Sequence, residues 1–284
     1  MNDRPIALVT GLDPRMAYTA KALCSFAEVY SCGLNGSPEG VTPLDSPEEL
    51  HGSADLILLP MMNNCGNSVP TEFGKLPVKL VAQAAKSGAV AAGGLLTNAL
   101  LEELDTLGLR AFDYFKNETL QIKNALLTAE GALSVAVSQR EEALFGMPVL
   151  ITGWGRVAKA CAKVFGSVGA EVSIAARSQT ALAEAHCFGC KTLPLCELSE
   201  HAEKYSLLIN TVPALVVTDE IIRRTQRNCL IVDLASKPGG VDSSACALCG
   251  RAFIHALALP GKYAPKTAGE IIAETVEGYF RSAD

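Results

Sequence analysis

No stretch of this chain approaches the ~18 uninterrupted apolar residues of a membrane span, so none is expected. The opening MNDRPIALVTGLDPR has no cationic segment leading into an apolar core and a small-residue cleavage site, and no signal peptide is expected either. Runs of lysine or arginine are missing too. At a net charge of −6, that argues against nucleic acid, because phosphate binding calls for a basic surface. There is no repeat of fixed period and no low-complexity tract. These absences leave the class of ordinary globular proteins, with the cytoplasm as the expected location.

The chain has 284 residues, 49% hydrophobic and 19% charged, which predicts two domains with good-sized cores. Ten cysteines are many. In a large chain with no export segment, most are expected to be reduced, buried thiols. Cys187/Cys190 and Cys246/Cys249 form two Cys-x-x-Cys pairs that together could make a four-thiolate metal site. The gap of about 55 residues between them far exceeds the ~15–20 of compact zinc ribbons. No metal is expected, and a redox role stays open.

The first part alternates strands and helices. Strands are predicted at Arg4–Thr10, Glu28–Gly33, Asp55–Pro60, Ala89–Gly93 and Leu109–Phe115, with helices at Pro14–Ala27, Val78–Lys86 and Asn98–Leu107. Residues 34–52, rich in Gly, Pro, Ser and Asp, and Met61–Thr71 read as loops. One long helical stretch covers 117–142. Strands then follow at Pro148–Thr152, Glu171–Ala176, Leu207–Thr211, Leu230–Leu234 and Ala252–Ala256, and the tail from Thr267 to Arg281 is an amphipathic helix. The alternation predicts an α/β protein of two doubly wound parallel-sheet domains. The expected first domain, residues 1–120, is flavodoxin-like and takes back the helix 267–284. The second, 121–266, is a Rossmann domain entered by the crossing helix 117–142.

The second domain carries a motif. Gly153-Trp154-Gly155-Arg156-Val157-Ala158 fits G-x-G-x-x-G/A between an apolar strand and a helix. Gly153 allows the tight turn after Thr152, Gly155 lets a pyrophosphate approach the backbone, and Ala158 lets the helix pack close. The pyrophosphate would meet free N–H groups at the positive end of the helix dipole. At the end of the second strand, an NAD site would usually carry an acid for the ribose hydroxyls. Here stand Ala176, Arg177 and Ser178. An arginine pairs bidentately with a phosphate and a serine adds a hydrogen bond, so NADP is the expected cofactor. Thr211-Val212-Pro213 and Asp233, Ala235 and Ser236 lie at later strand ends, where polar groups are expected to meet the nicotinamide ribose and ring. For Asp233 a loop brace is the alternative.

With these residues in hand, the chain resembles the A subunit of dipicolinate synthase from spore-forming bacteria. DLASKPGG (Asp233–Gly240) and ALPGKYAPKTAGEII (Ala258–Ile272) carry the resemblance most strongly. GLDPR (Gly11–Arg15), LILLP (Leu56–Pro60) and NALLTAEGAL (Asn124–Leu133) add to it. More distantly, the layout is similar to two-domain hydroxyacid dehydrogenases. The resemblance implies NADP-dependent oxidation of dihydrodipicolinate, or its hydrated tetrahydro precursor, to dipicolinate in the mother cell during sporulation. It also implies that a separately encoded, flavoprotein-like B subunit is the partner. Self-association into a homo-oligomer is expected as well.

Such an enzyme must hold a dianion, place a ring C–H near the nicotinamide and accept a proton. The site is expected between the domains. Arg15, past the first strand, is the expected cation, with Lys237 and Lys266 as others. Asn98 and Thr267 are candidate carboxylate donors. Asn124 and Thr128 share one face of the crossing helix, and Glu130 is a proton acceptor if burial raises its pKa. Each has a structural alternative: a helix-start arginine for Arg15, an N-cap for Asn98, an interdomain salt bridge for Glu130. His255 on its apolar strand reads as structure sooner than as a base. Two rival readings stay open beside this one: an NAD(P)-dependent 2-hydroxyacid dehydrogenase, and a cofactor-binding regulatory subunit without chemistry of its own.

Overall fold

The structure is a computed structural model that describes residues 4–63 and 65–283. The chain divides into two compact units, Met1–Asn124 with Ala264–Asp284, and Ala125–Tyr263.

The first unit is built on six parallel strands: β1 (Ile6–Thr10), β2 (Glu28–Cys32), β3 (Val41–Pro43), β4 (Ala54–Met61), a hairpin of β5 (Ser68–Thr71) and β6 (Gly74–Pro77) apart from the sheet, β7 (Ala85–Gly94) and β8 (Arg110–Asp113). Helices α1 (Pro14–Leu23), α2 (Val78–Ala82) and α3 (Asn98–Thr106) connect them. The sheet order is β3-β2-β1-β4-β7-β8, with every neighbour parallel. Without β3 the order would be the flavodoxin 2-1-3-4-5; the added edge strand makes it the Rossmann order 3-2-1-4-5-6. Val41–Pro43 lies inside the turn-rich stretch 34–52, whose composition hides so short a strand. The strand expected to begin at Ala89 begins at Ala85 and shortens the helix read over Val78–Lys86.

Helix α4 (Glu118–Ser138) begins in this unit and ends in the next, shorter than the 117–142 expected. The second unit's strands are β9 (Pro148–Thr152), β10 (Glu171–Ala176), β11 (Lys191–Pro194), β12 (Leu207–Asn210), β13 (Leu230–Asp233) and β14 (Ala252–His255). They run parallel in the order β11-β10-β9-β12-β13-β14. Helices α5 (Arg156–Ser167), α6 (Gln179–Cys187), α7 (Leu198–His201), α8 (Asp219–Arg224), α9 (Ser243–Leu248) and α10 (Leu259–Tyr263) connect them. Apolar clusters fill both faces of the sheet, one around Ile151, Phe165 and Ile174, the other around Leu150, Leu208 and Ile231. That is the pattern of a parallel sheet buried on both sides.

The C-terminal helix α11 (Pro265–Ala283) returns to the first unit, as expected. Its residues Ala268, Ile272, Ala273 and Val276 are buried, one stripe of a 3.6-residue period. Thr19 Oγ1 on α1 donates to the Gly269 carbonyl at 3.0 Å, and a Cβ at Gly269 would lie 2.5 Å from the Arg15 carbonyl oxygen.

Candidate cofactor site

In an open parallel sheet, ligands bind beyond the carboxyl ends of the strands, where the strand order reverses. In the second unit that point lies between β9 and β12. The glycine turn stands there. Gly153 has φ +88 and its N–H donates to the Ala175 carbonyl at 2.8 Å. A Cβ on it would sit 2.9 Å from Thr211 Oγ1, so both the left-handed backbone and the close packing require glycine. At Gly155 an added Cβ would meet nothing within 4 Å. Gly155 is the N-cap of α5 and has no side chain with which to cap the helix start. The turn therefore offers open space beside uncapped N–H groups, which fits a pyrophosphate. Ala158 is fully buried, so α5 packs directly on the sheet.

Trp154, between the two glycines, is the chain's one tryptophan. Its ring packs edge-on against Phe188 with centroids 5.7 Å apart, and Lys159 Nζ lies 5.7 Å above it. Lys159 pairs with Glu184 at 2.6 Å, and this holds the Glu184 carboxyl below the usual range. The indole nitrogen is buried, turned toward Glu184 without reaching hydrogen-bond geometry. Trp154 thus braces the turn against α6. Arg156 opens α5 and is exposed, and Val157 is half-buried beside it.

At the end of β10, Ala176 is buried and Arg177 is exposed, with no hydrogen bond or ion pair among the described residues. Ser178 is the N-cap of α6, its Oγ accepting from Ala181 N at 3.4 Å. Its hydroxyl proton remains available to an acceptor.

A polar row, buried except for the half-buried His255, crosses the same sheet edge. Thr152, Asn210, Asp233 and His255 are neighbours on β9, β12, β13 and β14. Thr152 Oγ1 donates to Asn210 Oδ1 at 2.6 Å, and Asn210 Nδ2 donates to Asp233 Oδ1 at 2.7 Å. Asp233 also accepts from Ala235 N at 3.0 Å and Gly240 N at 2.8 Å. At 1% exposure and with both oxygens engaged, Asp233 is the loop brace, not a ligand-facing carboxylate. A Cβ at Gly240 would lie 2.2 Å from the Val212 carbonyl oxygen, so the row also pins the loop after β12. Thr211 Oγ1 donates to the Thr152 carbonyl at 2.7 Å, and Val212 N to Asn210 Oδ1 at 3.2 Å. His255 Nε2 bonds the Ala235 carbonyl oxygen at 2.8 Å, a structural role. Pro213, Ser236 and Lys237 are exposed on these loops, and Lys237 makes no ion pair among the described residues.

In the first unit, Arg15 is 8% exposed and not a free cation. Asp13, the N-cap of α1, accepts from Arg15 N at 3.0 Å and Nε at 2.8 Å, and pairs with Nη2 as well. Burial works against the guanidinium's charge, but the Asp13 carboxylate outweighs it and holds Arg15 more firmly protonated than usual. Asn98 is exposed in the first turn of α3, and the capping role falls to Thr97, which accepts from Leu100 N at 3.3 Å. Lys266 lies within α11, exposed and 4.0 Å from Glu270, with Thr267 exposed beside it. The turns that follow them pack on α1 near Arg15. On α4, Asn124 and Thr128 are half-buried and Glu130 is exposed, so the burial its role called for is absent. Sequence reasoning missed Trp154's brace and Asp13. The pairing of Asp13 with Arg15 across Pro14 was the visible signal for the second.

The cysteines are all free thiols, with Cys161, Cys229 and Cys246 buried and Cys187 and Cys196 exposed. No group of metal ligands occurs among the described residues, nor any helix long and apolar enough to cross a membrane.

No family model matches the chain. The A subunit of dipicolinate synthase from Bacillus subtilis (strain 168) is 29% identical over 279 residues, covering 95% of this chain and 94% of the relative. The crystal structure of the corresponding protein from Bacillus halodurans superposes with a TM-score of 0.89 at 27% identity, over 99% of each chain. A transhydrogenase from Sinorhizobium meliloti shares the fold at 18% identity, with a TM-score of 0.75 over 98% of this chain and 94% of its own. Over nearly its whole length, in sequence and in fold, the chain is similar to the A subunit of dipicolinate synthase.

Proposed function

We propose that the chain is the A subunit of a dipicolinate synthase that oxidises dihydrodipicolinate, or its hydrated tetrahydro precursor, to dipicolinate with NADP. The observation that carries this reading is the near-complete coverage of the Bacillus relatives, at both sequence and fold level. From dihydrodipicolinate the reaction removes a hydride and a proton from the ring; from the hydrated precursor a molecule of water leaves as well, and aromatisation of the product pulls either forward. Bound NADP supplies the hydride acceptor.

The chain's own residues fit that cofactor. Gly155 and the uncapped start of α5 receive the pyrophosphate, with Arg156 beside them. Arg177, free of any carboxylate, takes the 2′-phosphate, and the Ser178 hydroxyl donates to it. Ala176 leaves no acid there to repel it. Thr211, Val212, Pro213, Ala235 and Ser236 line the crevice edge, held by the Thr152–Asn210–Asp233 row. For the substrate's carboxylates, Lys237 is the cation on the cofactor unit. In the first unit the reading keeps Arg15, oriented through Nε and Nη2 by Asp13, with Nη1 left for a carboxylate. Lys266, Thr267, Asn98, Asn124 and Thr128 complete the proposed set, and Glu130 stays in it as a proton acceptor that works from an exposed position. A second, separately encoded protein is the proposed partner, the chain is proposed to self-associate, and the setting is the cytoplasm of the sporulating mother cell.

The test mixes the purified chain with NADP and dihydrodipicolinate generated in place, in the presence and absence of the partner protein, with NAD as control. NADPH absorbance and dipicolinate are followed together. Equal amounts of both products are expected. Tight NADP binding with no turnover, even with the partner present, would replace this reading with that of a regulatory subunit.

A further inference from the structure

The cofactor crevice occupies one end of the second unit's sheet. At the other end, where β13 and β14 begin, lies a cavity of about 570 Å³ lined by Arg223, Arg227, Leu248, Cys249, Gly250 and Arg251. Three arginines therefore line one space in a chain of net charge −6.

Two of the three have no carboxylate partner among the described residues. Arg223 is paired with Asp219 one helical turn away, at 2.8 Å on an exposed surface. Arg251 donates to Thr225 Oγ1 at 3.0 Å, the Thr225 carbonyl at 2.9 Å and the Cys249 carbonyl at 2.7 Å. All three acceptors are neutral, so Arg251 is held rigidly while its charge stays uncompensated. Arg227 is exposed and makes no hydrogen bond or ion pair among the described residues. Bracing the loop after α9 explains Arg251. It does not explain why Arg223 and Arg227 face the same cavity, where like charges repel. At Gly250, φ is +61 and an added Cβ would meet nothing within 4 Å, so the backbone there is open as well.

We propose that this cavity is a second ligand site, for a small dianion presenting carboxylate or phosphate oxygens. Guanidinium groups match both planar carboxylates and phosphates through paired N–H donors. The pre-oriented Arg251 forms the floor and Arg227 and Arg223 close over the ligand. The site stands independently of the proposed reaction, although the product of that reaction is one ligand of the right chemistry.

Cys249 lines the cavity, so its alkylation reports occupancy without any assay of activity. The full chain is labelled with iodoacetamide and each cysteine is read by peptide mass spectrometry. NADP is present throughout to fill the nucleotide site, and potassium chloride matches ionic strength. Exposed Cys187 and Cys196 are the internal controls. Inorganic pyrophosphate and dipicolinate are the two probes. At about ten times its Kd, a bound probe is expected to slow Cys249 labelling about tenfold and leave the controls unchanged. Arg227→Gln, at an exposed position with no partner to lose, is expected to remove most of that protection. Protection by dipicolinate alone identifies a carboxylate site, and by pyrophosphate alone a phosphate site. A Cys249 rate that follows ionic strength only, or protection undiminished in R227Q, overturns the proposal.

Discussion

Arg177 and Asp233 show two opposite fates of a charged residue at a strand end. Arg177 has no partner among the described residues, so its donors face outward for a ligand. Arg177→Ala is expected to weaken NADP by about 10- to 100-fold, the worth of a lost charged hydrogen bond, and to leave NAD nearly unchanged. Calorimetric titration of both cofactors checks this; equal weakening removes the NADP assignment. Asp233 is consumed by the fold. In Asp233→Asn an amide N–H₂ would face either the Gly240 N–H or the donors at Oδ1, so about 2–3 kcal/mol of stability is expected to be lost without any cofactor present. Urea unfolding of the apo chain reads that loss. The contrast also marks what the sequence could disclose. Ala176-Arg177-Ser178 was legible because its meaning is local to one strand end. The brace at Asp233 was not, because Asn210, Ala235 and Gly240 reach it from another strand and a loop.

Among the elements, those of the second unit were the easier to read. Pro148–Thr152 and Glu171–Ala176 form as expected, because apolar, β-branched runs between clear turn signals leave few alternatives. Three short pieces escaped. Val41–Pro43 and Lys191–Pro194 are edge strands of three and four residues, and Ser68–Thr71 pairs only with its own hairpin mate. Edge strands bury one flank only, so their composition stays close to that of loops. The return of α11 was legible from its apolar stripe, but its seat on α1 depends on one small residue. Gly269→Val would push a side chain into the Arg15 carbonyl and Tyr18 Cβ, at 2.5 and 2.8 Å. A loss of about 3 kcal/mol is expected from the forced separation of the two helices. Hydrogen exchange should show faster exchange in α1 and α11 while β9–β14 keep their protection.

For the molecule as a whole, the cysteines set an alkaline limit. Burial pushes the Cys161 and Cys229 thiols up to about 12 and Cys246 to about 11, against an ordinary 9.0. Each thiol holds its proton more tightly folded than unfolded. Their contribution is therefore intact below about pH 9 and declines as pH rises from there toward 12, up to about 1.4 kcal/mol per pH unit for each thiol. The urea midpoint is expected to be lower at about pH 10.5 than at about pH 8, and Cys161→Ala is expected to shrink that drop. A midpoint unchanged across this range would contradict the burial of these thiols. Five cysteines are buried (Cys32, Cys161, Cys190, Cys229 and Cys246), so apolar filler describes half of the ten and not most of them.

Trp154 gives the molecule an optical property that nothing else in the chain shares. Indole emission overlaps the absorption of reduced nicotinamide but not of the oxidised ring. Because the one tryptophan stands between Gly153 and Gly155, excitation energy reaches a bound reduced cofactor from a single, known origin. Quenching of that emission would then report the redox state of the cofactor on the protein, turnover by turnover, with no label attached.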